Sequence, residues 1–238
     1  MSNQSVSKYC QISILVILAS FIIYFSANTL RANAWYFHAR NNIQQHTSSL
    51  NIIELLNAKE AITTALALDP KQAHYLHMLA YLELRHYEYL ITSNEERQFE
   101  FEQLTILSAE TAIKRSVALR ATWAESWLLL AHIASLKDGA NEGVYYYLQK
   151  AKAVGPYQFK VHLAVIQIAL ANWQHLSPDF KQFYVNELIL AARHDHKFGY
   201  VFTVAEELNK LPTLCLSLLF GKSFEKIKRR YIYKKSCK

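Results

Sequence analysis

AKEAITTALALDPKQAHYLHMLA (58–80) can be laid in register over AETAIKRSVALRATWAESWLLLA (109–131), 51 residues further along the chain. Ala58 meets Ala109, Ala61 meets Ala112, Ile62 meets Ile113, Ala73 meets Ala124, and Leu79-Ala80 meet Leu130-Ala131. At a further 35 residues, Leu148, Ala151, Pro156 and Leu163-Ala164 follow the scheme more loosely. Within each copy, small and apolar residues recur at i, i+3, i+4 and i+7, the period of a helix face. Asp69-Pro70 reads as a capping oxygen followed by Pro in the first turn of the next helix.

The same period extends outward from these copies. It predicts helices over 10–45, 51–68, 71–91, 98–119, 122–136, 140–153, 157–172, 178–194 and 197–209, with a weaker basic one near 223–233. Asn51 with Glu54 resembles a capping box, Ser177-Pro178 supplies a Ser cap, and Gly155-Pro156 and Leu211-Pro212 interrupt the pattern. TSNEER (92–97) reads as a loop. The chain of 238 residues holds only 5 Gly and 4 Pro, against roughly 17 and 12 for an average composition. Sheet folds need those residues for their turns, and no GxGxxG or GxxxxGK loop is present. The expected fold class is therefore all-α.

The repeated positions resemble the tetratricopeptide repeat, in which small residues let paired helices approach closely and a Pro often separates units. Ala58, Ile62, Ala65 and Pro70 match the end of one repeat, and Leu76, Leu79 and Ala80 the start of the next. The resemblance implies an α-solenoid of helical hairpins. The offset of 51 exceeds the family's usual 34, which implies longer helices over 71–91 and 98–119. An α-bundle with Ala-rich interfaces is the alternative.

CQISILVILASFIIYFSANTL (10–30) carries no charge and has 21 residues, enough to cross a hydrocarbon layer of about 30 Å. Lys8 and Arg31 bracket it, and Trp35-Tyr36-Phe37 follow as interfacial aromatics. A cleavable signal peptide is the competing reading, because Ala32-Asn33-Ala34 supplies an A-x-A pattern. Arg31 and the length of the apolar run argue for an uncleaved transmembrane helix. Lys8 against Arg31 and Arg40 leaves orientation nearly tied; the short N-terminal segment points to an inner-membrane protein with a periplasmic body.

Net charge is +7, but residues 1–221 hold 18 basic against 18 acidic residues, so the excess lies in 222–238. There, Lys226, Lys228, Arg229, Arg230, Lys234 and Lys235 alternate with apolar and aromatic residues. Beside a membrane-held body such a tail suits anionic lipid; a disordered tail is the alternative. No nucleic-acid partner is expected. Cys10, Cys215 and Cys237 form no CxxC and identify no redox compartment.

The order of features is similar to the VpsP family of bacterial polysaccharide biosynthesis proteins. The resemblance rests on the apolar span followed by Trp35-Tyr36-Phe37-His38-Ala39-Arg40, on Asp69-Pro70 with AHYLHMLA, and on Ala121-Thr122-Trp123-Ala124-Glu125-Ser126-Trp127. Gly155-Pro156 and NWQHLSP (172–178) complete it. It covers roughly 10–195 and omits the basic end. It implies a membrane-anchored protein that helps build or export exopolysaccharide or capsule, with other synthesis or export proteins and nascent glycan as partners. It implies no catalytic residue and no cofactor.

No catalytic constellation stands out. His74 and His77 lie at i, i+3 but lack the companions of a metal site, so no metal is expected. His194-Asp195-His196 reads as a helix end suited to the dipole's negative pole. Glu95-Glu96, Glu100 and Glu102 read as a solvated acidic face. The better candidate is a groove. The repeat register places His74, His77, Tyr81 and Arg85, then Glu125 and His132, then Lys160 and Gln167, on the first helix of successive hairpins, the concave side of tetratricopeptide arrays; ordinary surface positions are the alternative. Of Tyr145-Tyr146-Tyr147, at least one must be exposed. Trp127 reads as core. The expected organisation is a short tail (1–9), the span (10–30), a helix extension and linker (31–50), the helical domain (51–221) and the basic tail (222–238). The expected function is a non-enzymatic scaffold or assembly factor. A general membrane-tethered adaptor in envelope, pilus or cytochrome assembly, or less readily an enzyme of glycan synthesis, is the alternative.

Overall fold

A computed structural model describes residues 3–44, 51–92, 99–220 and 222–237. Glu95-Glu96 and the rest of 93–98 lie outside them, as do the linker residues 45–50. Among the described residues every regular element is helical: α1 (Asn3–Gln44), α2 (Ile52–Leu68), α3 (Ala73–Thr92), α4 (Phe99–Leu119), α5 (Ala124–Asp138), α6 (Glu142–Val154), α7 (Phe159–Ala171), α8 (Pro178–Ala192), α9 (Gly199–Glu207), α10 (Leu211–Leu219), α11 (Glu225–Lys228) and α12 (Tyr231–Ser236). The chain divides into two compact units, residues 1–112 and 113–238, with the boundary inside α4.

The quoted repeat is a repeat of hydrogen bonds as well as of letters. α2, α4 and α6 each end on the same last-turn bond: Asp69 N–H to Ala65 O (2.9 Å), Arg120 N–H to Ser116 O (3.0 Å) and Gly155 N–H to Ala151 O (2.9 Å). α3, α5 and α7 each open on the same first-turn bond: Tyr75 N–H to Gln72 O, Ser126 N–H to Trp123 O and Val161 N–H to Gln158 O. Offsets of 51 and 35 therefore hold atom by atom through the turn. Asp69 and Pro70 belong to this turn and do not cap α3, whose first residue is Ala73. Ala58, Ala61, Ile62 and Ala65 are buried in α2, as are Ala109, Ala112 and Ile113 in α4. At Ala positions no side chain holds neighbouring backbones apart.

In unit 1, α1 changes character along its length. Residues 11–27 are exposed on every face, and α1 is, among the described residues, the one helix long and apolar enough to cross a membrane. Further on, Ala32 and Ala39 are fully buried against α2. Tyr36 stacks on Tyr75 of α3 at 5.3 Å, and the Tyr75 hydroxyl donates to Asn33 Oδ1 at 2.9 Å. Of the helix extension and linker expected over 31–50, Ala32 and Ala39 thus belong to the unit's core. Asn51 caps α2 by accepting the Ile53 N–H.

In unit 2, α5 packs on α6 and α7 on α8, and α9 closes against α7 and α10. Ser177 Oγ accepts the Phe180 N–H and caps α8 as expected. α10 begins where Leu211-Pro212 looked like an interruption: Pro lacks an N–H, and the first turn of a helix needs none. Tyr184 of α8 donates to Ser217 of α10 at 3.1 Å. The basic C-terminal segment is folded onto this unit. Phe224 and Ile227 enter its core, Ile232 and Tyr233 pack on that core, and Cys237 is disulfide-bonded to Cys215 of α10, with Cα atoms 5.4 Å apart.

Candidate functional site

The eight expected groove residues divide between the units, four on α3 and four on α5 and α7. On α3, His74, His77, Tyr81 and Arg85 share one face by spacing, and all four are half-buried. Burial, with His74 beside it, pulls the His77 imidazole down to about 4, so it is neutral at physiological pH. Arg85 pairs with Glu88 at 2.6 Å and lines an open cleft of about 320 Å³ with Leu55, Tyr89 and Thr92. Beside this face, Lys59 of α2 meets Glu83 of α3 at 2.8 Å and donates to His86 Nδ1 at 3.1 Å. Burial first, then the Lys59 charge, lowers the His86 pKa against the opposing pull of Glu83.

In unit 2 the register brings two expected residues together. Glu125 and Lys160 both sit in the first turn after the recurring turn, on α5 and α7. Their charged atoms lie 4.0 Å apart. They share an open cleft of about 310 Å³ with Tyr157, Gln158, Phe159, His194 and Lys197. Tyr157 is 82% exposed at this site and offers a stacking face. His132 and Gln167, two turns further along, are half-buried and do not line the cleft.

Behind the cleft lies a buried ionic group that the sequence reading did not find. His162 Nδ1–H donates to Glu187 Oε2 at 2.5 Å, and Lys152 Nζ reaches Glu187 Oε1 at 2.8 Å. His162 and Glu187 are almost wholly buried. The available signal was phase: Phe180, Tyr184, Glu187, Leu188 and Ala191 form one buried stripe of α8, and Glu is its one charged member. The His194 ring lies 5.5 Å from His162 and 5.6 Å from Phe159. Burial, with His162 and Lys197 nearby, lowers its pKa. Beyond the end of α8, the His194 ring sits against both Phe159 and His162. Chemically, the cleft presents two lysine cations, Lys160 and Lys197, and one carboxylate, Glu125. That arrangement suits charge-assisted hydrogen bonds to acidic groups.

The aromatic residues divide similarly. Tyr145 packs on Phe180 and Phe183, Tyr147 on Trp127, and Tyr146 is 48% exposed. Trp127 is half-buried and donates through Nε1 to Ala121 O at 2.7 Å. Glu100 and Glu102 lie in the first turn of α4. Of the six expected tail cations, Arg230 and Lys226 pair with Asp195, and Lys228 binds Glu225 and the Leu219 carbonyl. The Lys226 hydrogen bond first, then the Arg230 charge, hold the Asp195 carboxyl below its usual range. Arg229, Lys234 and Lys235 are exposed. No group of three or more His, Cys, Asp or Glu among the described residues could hold a metal ion. Compared with known proteins, the chain matches no family model and no curated protein.

Proposed function

We propose that the chain is a membrane-anchored scaffold or assembly factor for bacterial exopolysaccharide or capsule production. In this reading its body lies on the periplasmic side of the inner membrane and binds acidic segments of partner proteins, or nascent glycan. The observation that carries the anchoring is the double nature of α1: an apolar half exposed all round, continuous with a half that is core. Cleavage after Ala34 would remove Ala32, which is fully buried, and Asn33, which accepts from Tyr75. Retention as an anchor therefore costs the fold nothing, whereas processing would cut into it. The Cys215–Cys237 bond supports an oxidising compartment. The open cleft at Glu125 and Lys160, with Tyr157 beside it, supports binding rather than turnover. The polysaccharide role rests on the resemblance carried by the span, Trp35–Arg40, Asp69-Pro70 and NWQHLSP.

Gene deletion followed by measurement of surface polysaccharide tests the role. Loss of polymer is expected; normal polymer with a different envelope defect would refute it. A reporter fused after residue 238 tests the side of the membrane. Cytoplasmic activity would overturn the periplasmic body.

A further inference from the structure

α10 has two faces. Leu214 and Leu218 are buried, while Pro212, Leu216 and Leu219, at i, i+4 and i+7, point to solvent. Leu216 is 60% exposed, Leu219 52% and the adjoining Phe220 69%. Cations are drawn alongside this stripe at its C-terminal end and near its middle. At its C-terminal end, Lys228 of α11 bonds the Leu219 carbonyl, which holds α11 and neighbouring Arg229 there, and Lys222 follows Phe220 by two residues. Near its middle, the Cys215–Cys237 bond, with the Cys215 sulfur 3.6 Å from Ser236 O, fixes the end of α12. Lys234 and Lys235 immediately precede Ser236. Lys222, Arg229, Lys234 and Lys235 are all exposed. Lys226 and Arg230, by contrast, are taken up by Asp195.

An apolar stripe flanked by several uncompensated cations matches one surface chemistry: acyl chains at the level of anionic headgroups. We infer that the α10 face, with the stapled basic hairpin beside it, is a docking surface for bilayers containing anionic phospholipid. The disulfide and the Lys228 bond hold the surface ready-made, so little chain entropy opposes binding. The cations act as a set and not as a free polybasic tail. Each one near an anionic surface strengthens attachment about fivefold.

This surface presupposes the α1 anchor, and one reconstitution separates the two. The full chain is placed in nanodiscs of phosphatidylcholine alone or with phosphatidylglycerol, and hydrogen exchange is followed over 211–237. Protection of this segment is expected with phosphatidylglycerol and not without it, and should vanish at about 0.5 M salt, where charges are screened within a few ångströms. Lys234→Glu with Lys235→Glu should remove most of it, and Leu216→Gln should weaken it with all charges intact. Exchange that is identical in both lipids, or protection that survives both salt and charge reversal, overturns the inference. So does protection that requires an added acidic protein. A chain that fails to enter the discs denies the anchor; a chain that enters them without lipid-dependent protection denies only this surface.

Discussion

Acidification should loosen α3 chiefly through His77. His77 carries a pKa of about 4 in the folded chain, against an ordinary value of 6.5. A depressed pKa means that the unfolded segment binds the proton more tightly. Stability is then present above about 6.5 and is lost as pH falls toward 4. Over the fall from about pH 7 to about pH 5, the two proton-binding curves separate by a factor of about 20, close to 2 kcal/mol. The assay is hydrogen exchange of α3 amides, corrected for intrinsic rate, on the full chain in mild detergent. His86 lies on the same helix and shifts in the same direction, so the wild-type fall includes its share. His77→Gln isolates the term: the variant should show a pH dependence shallower by about 20-fold over that interval, whatever its absolute stability. Equal slopes in wild type and variant, or α3 protection that does not change between the two pH values, would refute the reasoning.

Glu187→Ala should cost about 3–5 kcal/mol, because it strands the buried His162 beside Lys152; a urea melt showing less than about 1 kcal/mol would contradict a buried ionic group. Tyr75→Phe removes the bond to Asn33 and should lower stability by about 1 kcal/mol, with the loss concentrated in slowed-exchange amides of α1 beyond Arg31. Reducing Cys215–Cys237 opens a loop with a sequence separation of 22. That should cost roughly 3 kcal/mol and, by loosening the backbone, speed trypsin cleavage after Arg229 and Lys234; unchanged cleavage under reductant would mean that the core contacts of Phe224 and Ile227 hold the segment alone.

The repeat was the most legible part of the sequence. Ala58, Ala61, Ile62 and their partners 51 residues on signalled both the helices and their close approach. The register alone put Glu125 and Lys160 at equivalent first-turn positions, and they line one cleft. Some features outside the repeat stayed hidden. LPTLCLSLL shows no polar phase, so its Pro looked like a break rather than the first turn of α10. Cysteines 22 residues apart carry no spacing signature, and their pairing depends on α12 turning back along α10. Glu187 stayed hidden because only its phase with Phe180 and Tyr184 reveals that it points inward.

The continuity of α1 has a mechanical consequence. Its 42 residues make a rod of about 63 Å, of which the apolar run needs about 30 Å to span a bilayer. No hinge separates that run from Ala32 and Ala39, which are clamped in unit 1. In a membrane, the helix would act as a shaft rather than a tether. A tilt of about 20° adopted to match bilayer thickness would be delivered to unit 1 as an equal tilt, and rotation about the shaft would turn its α3 face. Thickness and lateral packing of the lipid would thereby set which way that face looks.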